Sequence, residues 1–84
     1  MNSLNQKILI VDDIEDNRFT LERRLSRNGY TAISQADCGK KALELVKEES
    51  FDLILLDLMM PDISGLDVLK TLKADPKSRS IPVV

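Results

Sequence analysis

The sequence predicts an α/β fold: a doubly wound parallel sheet with helices on both faces. Three observations carry that expectation. Segments of strand and helix character alternate along the whole chain with short connections. Two strand candidates, residues 8–11 and 51–56, are nearly unbroken apolar runs, as strands covered on both faces should be. Both runs end in acid, at Asp12-Asp13 and at Asp57. In doubly wound sheets the functional crevice lies at the carboxyl ends of the strands, so neighbouring strands would bring these three carboxylates together.

The elements follow in order. After the first strand, residues 15–28 read as a helix with Phe19, Leu21 and Leu25 as its apolar stripe, and Asn28-Gly29 is a helix stop. Residues 30–36 mix Thr31, Ile33 and Gln35 with small side chains, the pattern of a less buried edge strand. Asp37 is placed to cap a helix running to about Glu49, with Ala42, Leu43 and Val46 inward. The second buried strand, 51–56, leads into a loop, and Ser64 followed by Asp67 is a capping-box pattern that starts another helix. Val68, Leu69 and Leu72 form its inner face, Asp75-Pro76 ends it, and residues 81–84 begin a fourth strand.

Composition narrows the function. The 84 residues suffice for one small domain, with residues 1–6 a polar extension. A net charge of −2 gives no reason to expect nucleic acid or an anionic membrane as partner. No apolar run approaches the length of a membrane span, and the polar start lacks a signal-peptide core, so the expected compartment is the cytoplasm. Cys38 is the single cysteine and histidine is absent. That excludes an internal disulfide, a histidine general base and a His-ligated zinc site.

Crowded carboxylates repel and must hold either a proton or a cation. Here they suit Mg²⁺, which prefers oxygen ligands and phosphate oxygens. The run 8–13, the segment Leu55-Leu56-Asp57-Leu58-Met59-Met60-Pro61 and Gly65 resemble the bacterial response-regulator receiver domain of two-component signalling, and the resemblance spans residues 7–84. It implies a flavodoxin-like strand order, 2-1-3-4-5, which the spacing alone does not give. It further implies that Asp57 is the phosphoacceptor, attacking the phosphoryl group of a sensor histidine kinase or phosphotransfer protein. By the same resemblance Asp13 ligates Mg²⁺ directly, Asp12 acts mainly through coordinated water, and the backbone carbonyl of Met59 completes the protein ligands. Pro61 and Gly65 shape the loop after the acceptor, a conformational role.

The family fold has one more strand and two more helices than the four strands and three helices read here, so the chain is expected to be a C-terminally truncated receiver. The resemblance places a switch Ser or Thr and a phosphate-pairing Lys beyond Val84, and no residue of this sequence takes either role. Impaired phosphorylation is therefore expected, together with self-association through the apolar last strand. Two other readings share the pattern. One is a phosphorylation-independent interaction or dimerisation scaffold. The other is a phosphatase with a strand-end Asp nucleophile, which would want a second Asp two residues on, where Met59 stands.

Overall fold

The computed structural model describes residues 5–58, 60 and 62–84. Strands and helices alternate as β1 Lys7–Val11, α1 Glu15–Arg27, β2 Ala32–Ala36, α2 Gly39–Glu48, β3 Leu53–Leu56 and α3 Gly65–Ala74. The sheet is parallel with order β2-β1-β3. Beyond β3 the chain returns for a short parallel pairing in which Val83 sits opposite Ile54. The Ile54 N–H donates to the Pro82 carbonyl at 3.0 Å, and Val84 exchanges bonds of 2.9 Å with Ile54 and Leu56. The expected fourth strand is thus present as this short contact, in the expected place. Pro82, with no N–H of its own, offers the sheet only its carbonyl.

Alternation along the strands divides the apolar side chains between two faces. Leu9, Val11, Ala36 and Ile54 meet Ala42 and Val46 of α2, Val68 and Leu72 of α3, and Phe51 and Met60 in one buried cluster. Ile8 and Ile10 point to the opposite face, where α1 lies, and are also fully buried. No residue of α1 itself is buried. Phe19 is 64% exposed, which corrects its placement on the apolar stripe. The half-buried positions of α1 are Arg18, Leu21, Glu22 and Leu25, which follow the i, i+3, i+4, i+7 spacing of one helical face. Phe19 is out of phase with that set, and the inward face carries two charged residues.

Some helix ends are satisfied by residues beside them. Gly29, with φ 92°, ends α1: its N–H donates to Ser26 O and the Tyr30 N–H to Leu25 O. The Ser64 hydroxyl accepts from the Asp67 N–H at 3.2 Å and caps α3. At α2, however, the residue at the cap is Cys38 and no side chain of its own turn caps the helix, so Asp37 does not. Asp62 does so from a distant loop, accepting from the Gly39 and Lys40 N–H groups at 3.1 Å each. After α3, the Ser78 hydroxyl donates to Leu72 O, and the Lys73 ammonium donates to the carbonyls of Arg79 and Ile81, tying the returning segment down.

Candidate functional site

Register builds the site. Val11 is paired with Ala36 on one side and Leu56 on the other, so the next residues of β1 and β3, Asp12 and Asp57, emerge side by side. The ladder continues past the strands: the Asp12 N–H donates to Ala36 O at 3.1 Å and the Asp57 N–H to Val11 O at 2.9 Å. One carboxylate oxygen each from Asp12, Asp13 and Asp57 lies within 4.8 Å of the others. The expected convergence of these three residues is therefore observed.

Their environments differ. Asp12 is 8% exposed and already committed to local bonds. Its Oδ1 accepts from the Ile14 N–H at 2.9 Å and its Oδ2 from the Asn17 amide at 3.2 Å. Asp13 is exposed, and among the described residues its carboxylate has no hydrogen-bond partner. Asp57 is half-buried between them in accessibility. Below the acids, Val11, Leu21, Leu55, Leu56 and Val84 line an apolar groove of about 230 Å³ that Asp12 and Asp57 overlook.

An oxygen-only donor set of this kind fits a hard divalent cation such as Mg²⁺ and offers nothing to a soft metal. The Arg18 guanidinium reaches the main-chain carbonyl of Asp12, at 2.6 Å, and not its carboxylate. Met59 and Pro61, expected at this site, lie outside the described residues. Gly65 is required sterically. A Cβ there would sit 2.3 Å from Leu58 Cα and 2.4 Å from the Asp57 carbonyl oxygen, and its N–H closes the loop by donating to Leu58 O at 3.0 Å.

Sequence reading missed Asn17, Arg18 and Gln35. The phase of Leu21 and Leu25 was the available signal for Arg18, since it shares their face. Asp62 was also passed over. The N–H groups of Ile63, Lys40 and Gly39 hold its carboxyl below the ordinary carboxylate range, as expected for an acid at a helix N-terminus.

Comparison with known proteins gives a consistent picture. The family model of the response regulator receiver domain matches residues 8–84. The chain is 44% identical over 81 residues to response regulator PleD of Caulobacter vibrioides, covering 96% of this chain and 18% of that protein. It is 38% identical over 80 residues to chemotaxis protein CheY-3 of Vibrio cholerae, covering 95% of this chain and 62% of that protein. The chain thus spans less than two thirds of the length of either relative. Among solved structures, the N-terminal domain of a response regulator receiver protein from Methanoculleus marisnigri superimposes with a TM-score of 0.88 at 37% identity, covering 93% of this chain and 63% of that one.

Proposed function

The chain belongs to the response regulator receiver domain family, and from that membership we propose that residues 7–84 act as the phosphoacceptor module of a two-component phosphorelay. The observation that carries the proposal is the convergence of Asp12, Asp13 and Asp57 at one end of the sheet. An Asp57 carboxylate oxygen attacks the phosphorus of a phosphohistidine on a sensor kinase or phosphotransfer protein. The new P–O bond makes an aspartyl phosphate, the P–N bond breaks, and the departing imidazole takes up a proton.

Each acid has its part. Asp13, exposed and without a local hydrogen bond among the described residues, is the direct ligand for Mg²⁺. Asp12, whose two oxygens are engaged by Ile14 and Asn17, acts through metal-bound water. The Met59 carbonyl is the further ligand implied by family likeness. Bound there, Mg²⁺ supplies positive charge that offsets phosphoryl oxygens approaching three carboxylates. Gly65, with Pro61, keeps the loop after the acceptor close to it.

The same reading covers setting and limits. The module works in the cytoplasm, and its negative net charge favours a protein partner over nucleic acid. No helix among the described residues is long and apolar enough to cross a membrane. The outer edge of the 82–84 segment is a surface for self-association, which size-exclusion with light scattering tests directly.

The phosphorelay reading is tested by mixing the chain with a kinase or phosphotransfer protein carrying labelled phosphohistidine. Mg²⁺-dependent transfer that disappears in Asp57→Asn is expected. Transfer that survives the substitution contradicts Asp57 as acceptor, and binding of the labelled partner without any transfer would favour the scaffold reading.

A further inference from the structure

Three side chains on two elements form a continuous hydrogen-bonded relay that ends at the main chain of the acidic site. Glu22 on α1 accepts at Oε1 from the Gln35 amide at 2.7 Å. Gln35, on β2, accepts at Oε1 from Arg18 Nε at 3.1 Å. Arg18 Nη1 then donates to the Asp12 carbonyl at 2.6 Å. The chemistry of the partners sets the direction. A carboxylate only accepts and a guanidinium only donates, so the Gln35 amide can bridge them in one orientation alone.

We propose that Arg18 is a positioning residue for the Mg²⁺-dependent phosphoacceptor site, held in place by Gln35 and Glu22 and acting through the main chain of Asp12. The inference rests on the functional reading given above. Arg18 belongs to the inward face of α1, and its planar fork reaches β2 and the residue just past β1 at once. Its target is a carbonyl, so it takes no carboxylate oxygen away from a metal and neutralises none of the three acids. What it restrains is the turn between β1 and α1, the segment that presents Asp12 and Asp13. Asn17 completes the restraint by holding the Asp12 carboxylate from the start of α1. The relay therefore orients ligand-bearing backbone from outside the ligand set, as outer hydrogen bonds do around metal sites.

A lysine cannot reproduce two divergent bonds from one planar group, although it keeps the charge. This separates positioning from simple electrostatics. Mg²⁺ affinity would be measured by titration followed through the Asp13 and Asp57 amide resonances. Labelling by a small acyl phosphate at saturating Mg²⁺ would be followed by intact mass, and thermal melting run alongside. The variants are Arg18→Lys, Arg18→Gln, Gln35→Ala and Glu22→Ala. Gln35→Ala is the safeguard, since it touches no acid of the site and removes only the brace on Arg18.

Arg18→Lys and Arg18→Gln are both expected to weaken Mg²⁺ binding by about 10-fold, with Gln35→Ala and Glu22→Ala weaker in the same order along the relay. The labelling rate at saturating Mg²⁺ falls by less than about threefold, because the loss is in assembling the site and not in the attack itself. Wild-type affinity in Arg18→Lys beside a loss in Arg18→Gln would overturn the proposal in favour of charge alone. Wild-type affinity in all four would overturn it in favour of a purely structural network. A wild-type chain that neither binds Mg²⁺ nor takes label would overturn the functional reading itself, and this inference with it.

Discussion

The Asp57 N–H donates to the Val11 carbonyl at 2.9 Å, one step beyond the last paired residues of β3 and β1. The main chain of Asp57, the proposed phosphoacceptor, is therefore held by the sheet ladder. Because the main chain is held this way, the three acids are brought together by backbone bonds despite their mutual repulsion.

Relief of that repulsion is measurable. Asp13→Asn should unfold at the same or a higher temperature than wild type in chelator-treated buffer. In Mg²⁺ the order should reverse. At a concentration 100-fold above the dissociation constant, wild type gains about 2.7 kcal/mol, and the variant should gain little. Urea titrations with and without Mg²⁺ check both halves.

The corrected face of α1 gives a second contrast. Phe19→Ala should change stability by less than about 0.5 kcal/mol, as for other exposed positions. Ile10→Ala, on a fully buried side chain beneath α1, should cost about 2–5 kcal/mol. Equal losses in equilibrium denaturation would show that Phe19 packs inward after all.

Gly65→Ala is expected to be costly for its size. The added methyl group meets backbone at 2.3 and 2.4 Å, from Leu58 and Asp57, and neither can swing aside as a side chain would. A loss of about 3 kcal/mol is expected, at the upper end for overpacking. Chemical denaturation measures it, and shifted resonances in residues 57–58 should accompany it.

Asp62 gives the pH dependence. Its folded pKa is lowered by the N–H groups of Ile63, Lys40 and Gly39, so its carboxylate form stabilises the fold. That contribution is complete above the ordinary value of 3.8 and is lost as pH falls through the lowered folded value. Asp62→Ala should therefore melt below wild type by a constant margin near neutral pH. The margin should close only in acid below the ordinary carboxylate range. A gap unchanged down to the lowest pH at which both variants remain folded would remove Asp62 as the cap of α2.

What could be read in advance was what local pattern dictates. Apolar runs ending at Asp12, Asp13 and Asp57 gave the strands and the convergence, because alternation and strand ends are properties of neighbouring residues. Ser64 and Asn28-Gly29 were legible for the same reason, each serving the helix beside it. The misreadings were non-local. Asp37 lay in the right place to cap α2, but Asp62, more than twenty residues on, satisfies those N–H groups. Phe19 looked like core by composition, whereas the phase of Leu21 and Leu25 puts Arg18 and Glu22 inward, and their partner Gln35 comes from another element. Domain bounds, Met59 and Pro61 rest on family likeness alone.

The most direct test of the account is intact-mass spectrometry of the 84-residue chain after incubation with Mg²⁺ and a small acyl phosphate, beside Asp57→Asn. One phosphoryl adduct that requires Mg²⁺ and is absent from the variant is the predicted result. An adduct that persists in Asp57→Asn, or none at all on a folded wild-type chain that binds Mg²⁺ over prolonged incubation, would contradict Asp57 as the working acceptor of this polypeptide.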